Sequence, residues 1–363
     1  MADPALERLM IESVAHLPAS LLRALTGGGA ANPGGRTLDP TFQYLCATWR
    51  RPRGIEGTCP LEARRTWERV VRTMSARPLA GVAISNLEID TAAGSRRARL
   101  YRPSQADPKA PLLLFLHDGG GVVGAPEFSD GLLSRLAETA RCPILAPAYR
   151  LAPEHRFPAG FEDALATYDW AESHAADFGV GRVAVGGQSI GAGLAASLCQ
   201  TLKAQGRAQP VLQLLICPIL DAASDCQSLR TYADAWPLSQ ASLAWLLSQY
   251  LNPQDDPGDP RISPFRAVDV AGLAPALIVT AGFDPVVDQG ESYARKLKAA
   301  GVPVVYRCYE ALPHAFPVFA GVASCAETAC REIGGLLRDG LSGGLARACT
   351  LHDRTEEARS LVL

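Results

Sequence analysis

The sequence predicts an α/β fold in which a mostly parallel sheet carries helices on both faces and a helical cap over one end. Three observations predict it. Apolar runs of strand length alternate with segments of helical period over much of the chain. One run, Leu112 to His117 (LLLFLH), is apolar without alternation, as a strand buried on both faces requires. The interval from Asp221 to about Ala274 breaks the rhythm without supplying a strand, and so long an excursion from a sheet is usually functional.

The elements follow in order. Leu6, Leu9, Met10, Val14, Leu17, Leu21 and Leu22 recur at helical spacing, which predicts a helix from Pro4 to about Leu25, ended by Gly27-Gly28-Gly29. A second helix is expected over Leu61 to Met74, and strand patterns begin near Val82. After the strand at Leu112, helices are expected near Gly131 to Ala140, Gly160 to Ala175, Ile190 to Ala204 and Val287 to Ala300. Strands are expected at Pro143 to Tyr149, Arg182 to Gly186, Leu212 to Cys217, Ala276 to Ala281 and Pro303 to Tyr309. The irregular interval holds one Trp- and Leu-rich helical piece, Ser239 to Leu251, before NPQDDPGDPRISPF. This divides the chain into an N-terminal helical part of the cap (residues 1–75), a core (76–221 and 275–340), a cap insertion (222–274) and a C-terminal tail (341–363).

Composition narrows the function. Nearly half of the 363 residues are apolar, which is enough for a sizeable core, and the formal charge is −2. A nearly balanced charge without a clustered basic face speaks against nucleic acid as a partner. The Arg50, Arg51, Arg53, Arg64 and Arg65 group is interleaved with Pro, Gly and Glu and reads as a solvated face. No apolar run approaches the ~18 residues that a membrane span needs, and the N-terminus lacks a basic stretch followed by a continuous apolar one, so no signal peptide is expected. The ten cysteines show no CxxC pair. Several, such as Cys142, Cys217 and Cys308, sit in apolar strand-like runs, where small buried thiols explain them better than disulfides. A reducing cytoplasm is the expected location.

The chemistry concentrates in four places. Gly187-Gln188-Ser189-Ile190-Gly191 matches G-x-S-x-G between a strand and a helix, where the glycines permit a sharp turn that exposes the serine hydroxyl. A serine needs a base, and the base needs an orienting acid. Of six histidines, His314 follows the last expected strand. Asp284 follows ALIVTA directly, and Ser, Asp, His is the chain order expected of such a site. Asp288, one helical turn on, is the rival acid. The run Gly119-Gly120-Gly121 after LLLFLH lets backbone N–H groups approach a developing oxyanion, with the N–H of Ile190 as the complementary donor. Histidines at metal-ligand spacing are absent, so neither metal nor cofactor is expected.

Taken together, these segments resemble the hormone-sensitive-lipase family of α/β-hydrolases, the esterases marked by an HGGG motif. HDGGGVVG matches that motif, YRLAPEHRFPA (Tyr149 to Ala159) its second marker, GQSIG its nucleophile turn, and DPVVD and HAF its acid and base motifs. The resemblance covers about residues 80 to 320. It implies the α/β-hydrolase fold, a Ser189, Asp284 and His314 triad, and an oxyanion hole made by the N–H groups of Gly119, Gly120 and Ile190. It implies a small-molecule carboxylic ester as substrate, and a homodimer, since esterases of this kind often dimerise. His117 is implied as a hydrogen-bonding prop of the glycine loop, and Arg150 and Glu154 as its braces. The sequence departs from the family at Asp118, Gly121, Gln188 and Ile190, where Gly, an aromatic, Asp and Ala are usual. The Asp118 side chain is expected to point away from the oxyanion. Ile190 is expected to narrow the acyl side of the pocket, and Gly121 to widen the other side. A non-catalytic binding protein on the same fold and an amide-hydrolysing relative are the alternative readings.

Overall fold

The computed structural model describes residues 4–15, 17–26, 33–49 and 55–344. The elements run α1 (Pro4–Ala15), α2 (Ala19–Leu25), α3 (Pro40–Trp49), α4 (Pro60–Met74), β1 (Val82–Thr91), β2 (Gly94–Pro103), β3 (Leu112–Leu116), α5 (Asp130–Ala140), β4 (Ile144–Pro147) and α6 (Ala159–Ser173). They continue with β5 (Val183–Gln188), α7 (Ile190–Ala204), β6 (Gln213–Ile216), α8 (Gln227–Thr231), α9 (Gln240–Tyr250), β7 (Ala276–Phe283), α10 (Val287–Ala299), β8 (Val304–Pro313) and α11 (Ser324–Leu341).

The eight strands form one sheet in the order β1-β2-β4-β3-β5-β6-β7-β8. β1 pairs antiparallel with β2, and β2 with β4; every later pairing is parallel. Side chains of a strand alternate between faces, and the core divides accordingly. Leu112, Leu114, Leu116, Val183, Val185, Leu215 and Ile278 pack against α6, α7 and α10 in one cluster. Leu113, Phe115, Ala184, Leu214, Ile216, Leu277 and Val279 pack with α5 and α11 in the other. A strand covered on both faces has no solvent side, which is why LLLFLH and ALIVTA show no polar alternation.

The N-terminal region differs from the sequence expectation. One helix over Pro4 to Leu25 is instead two, α1 and α2, with Pro18 flanking the start of the second. Proline lacks the N–H that an uninterrupted helix would need there. Ile11 and Leu22 are buried, whereas Leu9, Met10, Leu21 and Leu25 are exposed. α3 and α11 carry no distinct sequence prediction and are present. Cys308 is half-buried, not buried, because β8 is an edge strand. The Gly27–Gly29 run, Arg50, Arg51, Arg53 and nearly all of the C-terminal tail lie outside the described residues. Arg64 does not belong to a solvated face: its guanidinium reaches inward to two backbone carbonyls, Val122 and Ala152. Residues 222–274 contain α8 and α9 and no strand.

Candidate active site

Three strand ends bring the predicted residues together. Ser189 stands between β5 and α7 with φ 57 and ψ −122, a conformation that side chains other than glycine rarely adopt. The strain persists because its surroundings admit no alternative. A Cβ at Gly187 would overlap the backbone of Gly191, and one at Gly191 would overlap the carbonyls of Leu116 and His117. The turn is thus pressed against the ends of its own helix and of β3, and only glycine fits on either side of Gln188-Ser189-Ile190.

Asp284 follows β7 and His314 follows β8. His314 Nδ1 donates to Asp284 Oδ2 at 2.7 Å, and Ser189 Oγ donates to His314 Nε2 at 3.0 Å. A carboxylate can only accept, so the neutral imidazole carries its proton on Nδ1 and leaves Nε2 free to take one. Asp284 Oδ1 accepts the N–H of Val286 at 2.9 Å, which holds the carboxylate in place. All three side chains are buried. Asp288 is engaged elsewhere: its Oδ2 accepts the N–H of Ser228 at 2.8 Å, at the start of α8.

The glycine loop lies beside this chain. Gly119, Gly120 and Gly121 have φ of 112, 63 and 73, so the loop is built on backbone that favours glycine. The N–H groups of Gly119 and Gly120 donate to no acceptor among the described residues. That of Ile190 is in the first turn of α7, where a helix offers no acceptor. His117 supports the loop as expected. Its Nδ1–H donates to the carbonyl of Asp118 at 2.7 Å, its ring stacks on Tyr149 at 4.2 Å, and the Tyr149 hydroxyl donates to the His117 carbonyl at 2.9 Å. Burial pushes the His117 imidazole down to about 4, so it stays neutral.

Of the two expected braces only Glu154 connects with the glycine loop, through Arg64, whereas Arg150 turns to α6. Arg150 forks onto Asp163, and Glu154 accepts both terminal nitrogens of Arg64. The Arg64 pairing takes the Glu154 carboxyl down to about 2. Asp118 turns to Gln188, whose Nε2 donates to its Oδ2 at 3.2 Å.

The space vacated by the small residue at 121 is not open, contrary to the sequence expectation. A Cβ at Gly121 would lie 2.6 Å from the Tyr250 ring, and one at Gly120 would lie 2.7 Å from Leu246. Both residues come from α9, which therefore rests directly on the loop. The Tyr250 hydroxyl is buried and has no hydrogen-bond partner among the described residues. Leu246, Tyr250, Gln188 and Arg64 are the site residues that motif reading did not single out as partners. Only the aromatic missing at 121 hinted that another ring would fill its place.

Cys217, Asp284 and His314 form a buried group whose ligand atoms lie within 4.8 Å of one another. Burial and Asp284 push the Cys217 thiol up. Two cavities, of about 610 and 490 Å³, flank residues 233–236. Trp49, Trp67 and Ser242 line the first, and Phe283, the neighbour of Asp284, lines the second. No described helix is long and apolar enough to cross a membrane.

Comparison with known proteins agrees with this geometry. A family model described as the alpha/beta hydrolase fold matches residues 113–318. The chain is 40% identical over 311 residues to the carboxylic ester hydrolase LipN of Mycobacterium tuberculosis, covering 83% of this chain and 82% of the relative. It is 39% identical over 261 residues to an ethyl acetate hydrolase of Pseudomonas putida, covering 70% and 82%. Among solved structures, an ester hydrolase from the metagenome of Lake Arreo superposes with a TM-score of 0.78 at 31% identity, over 90% of this chain and 99% of that one.

Proposed function

The chain belongs to the α/β-hydrolase-fold family and is a carboxylic-ester hydrolase of the hormone-sensitive-lipase group, and from that premise we propose that Ser189 is its nucleophile, His314 its general base and Asp284 the acid that orients the base. The observation that carries the assignment is the unbroken hydrogen-bonded chain from Ser189 through His314 to Asp284.

On this reading Ser189 Oγ attacks the ester carbonyl carbon while its proton passes to His314 Nε2. The negative charge that forms on the carbonyl oxygen is met by the N–H groups of Gly119, Gly120 and Ile190. The tetrahedral intermediate collapses, the C–O bond to the alcohol breaks, and the alkoxide takes the proton from Nε2. Water then loses a proton to Nε2 and attacks the acyl-enzyme, and the second collapse releases the acid and restores Ser189.

Residues 1–75 and 222–274 form the cap in this proposal. Support comes from α9, whose Leu246 and Tyr250 lie against the glycine loop. Leu238, Leu243, Leu246, Tyr250 and Ile190 belong to one apolar cluster, which supports reading the walls around the scissile bond as apolar and closely packed. Each added methylene contributes about 0.8 kcal/mol until the chain meets the end of such a pocket. We therefore read the enzyme as preferring roughly C2 to C8 acyl chains, with Ile190 as the stop on the acyl side. The nine described cysteines are all free, which supports the cytoplasm as its compartment. A homodimer is the proposed assembly, to be checked by sedimentation velocity.

A p-nitrophenyl ester series from acetate to palmitate, run on the parent, Ser189→Ala and Ile190→Ala, tests the reading. Turnover should vanish in Ser189→Ala, and the optimum should move to longer chains in Ile190→Ala. A kcat/KM still rising at palmitate contradicts the closed pocket.

A further inference from the structure

Asp118 precedes the first glycine of the oxyanion loop, and Gln188 precedes the nucleophile. One hydrogen bond, Gln188 Nε2 to Asp118 Oδ2 at 3.2 Å, therefore links the residue before Gly119 to the residue before Ser189. Both side chains are at least nine-tenths buried. Behind them lies a cavity of about 10 Å³, bordered by Ser75, Phe128, Ser129 and Val318.

We propose that Asp118 is a positioning residue of the active site: through Gln188 it ties the oxyanion loop to the turn that carries Ser189, and the tie tightens when its carboxyl is ionised, because an amide N–H binds a carboxylate more strongly than a neutral oxygen. The inference rests on the triad assignment above. Two features of the surroundings support it. The groups that favour the ionised carboxylate are His314, the backbone N–H of Asp118 and Gln188. Burial pushes Tyr149 and Cys217, on the neighbouring segments, up, and the Asp118 charge adds to it, as one contribution beside that of Asp284 for Cys217. His117 beside it stays neutral, and Glu127, before α5, acts on His117. Burial nevertheless pushes Asp118 up to about 6, so its charge appears only in the upper part of the working pH range. A tie between the donor loop and the nucleophile matters because small displacements of reacting groups cost large factors in rate.

The test is kcat and KM for p-nitrophenyl butyrate from about pH 5 to 9, measured on the parent, Asp118→Asn, Gln188→Met and Ser189→Ala. Asp118→Asn preserves shape and removes the charge. Its kcat should fall roughly tenfold at pH 8, the size of effect that a small displacement of the donor loop from the nucleophile has on rate. KM should change little. Below pH 6, where the parent's own carboxyl is protonated, the two rates should converge. A purely structural role would leave the parent-to-variant ratio constant with pH. A ratio of one throughout, or a ratio that does not change through pH 6, overturns the proposal. Should Asp118→Asn fail to fold, Gln188→Met gives the same decision. Without the amide donor the tie is lost, so Gln188→Met should show a similar loss of kcat at pH 8 that narrows below pH 6; an unaltered kcat, or a loss that does not change through pH 6, overturns the proposal. Activity surviving in Ser189→Ala overturns this inference together with the triad, whereas Ser189-dependent activity with a flat ratio overturns this inference alone.

Discussion

Arg64 Nε donates to the carbonyl oxygen of Val122 at 2.9 Å, so helix α4 grips the glycine loop from its outer side. The same guanidinium reaches the Ala152 carbonyl at 2.9 Å and both oxygens of Glu154. The ion pair is partly exposed and by itself contributes little. The two carbonyl bonds matter more, because they join an N-terminal helix, the loop whose N–H groups meet the oxyanion in our proposal, and the Tyr149 to Ala159 segment.

Arg64→Ala should therefore lower kcat by roughly tenfold through loss of loop positioning, with a smaller effect on KM. Arg64→Lys should recover little, since an ammonium cannot serve carbonyl and carboxylate groups in one planar fork. Steady-state kinetics on the two variants and on Glu154→Gln check this. If Glu154→Gln is as impaired as Arg64→Ala, the ion pair and not the carbonyl bonds holds the loop.

Within the triad, Ser189→Ala and His314→Ala should each lower kcat by several orders of magnitude, with the double variant little worse. Asp284→Asn should cost somewhat less, by mis-setting the imidazole tautomer. Asp288→Asn should retain far more activity, because Asp288 serves the Ser228 N–H and not His314. The reverse order of the two Asp variants would transfer the role to Asp288.

The glycines of the loop should differ in a defined order. Gly119 has φ 112, and a Cβ there would overlap the Val123 carbonyl, which is backbone and cannot yield. Gly120 has φ 63, where an L residue costs roughly 1–2 kcal/mol, and its Cβ meets the flexible Leu246 side chain. Gly119→Ala should lose roughly 100-fold or more in kcat, and Gly120→Ala less. Leu246→Ala should partly rescue Gly120→Ala and leave Gly119→Ala unchanged. Equal damage in both, without rescue, would show that α9 does not press on the loop.

Stability should depend on pH with two opposed contributions. The Asp118 pKa, raised from 3.8 to about 6, means the folded state binds more protons in that window, so stability falls as pH rises through it. The His117 pKa, lowered from 6.5 to about 4, means the unfolded state binds more, so stability rises with pH there. The two largely offset in the parent. Asp118→Asn should be more stable than the parent at pH 8, by about 2–3 kcal/mol at most, and equal to it near pH 4. Its Tm should climb between these limits more steeply than the parent's. A variant no more stable at pH 8 than the parent would mean that the buried carboxylate is not costly.

Much of the fold was legible in the chain because its strands are buried on both faces and its motifs are local. LLLFLH, ALIVTA and G-x-S-x-G each state a requirement of a few adjacent residues. Ser189, Asp284 and His314 stand where strand-end reasoning expects them. Apolar spacing alone overstates the N-terminal helix, because it continues past Pro18 while α1 and α2 bury only Ile11 and Leu22 among the residues described.

What the sequence by itself determined is therefore the alternation of elements, the strained turn at Ser189, and the identity and order of the three residues placed at strand ends. Each follows from spacing along the chain and from the steric needs of neighbouring residues. Only the tertiary structure decided that Asp288 faces Ser228, that Tyr250 occupies the space beside Gly121, that Arg64 holds Val122, and that Asp118 meets Gln188. These partners lie about 58 to 129 positions apart in sequence. The register of the sheet and the seating of α9 bring them together, and no local pattern encodes a contact whose two halves are placed independently.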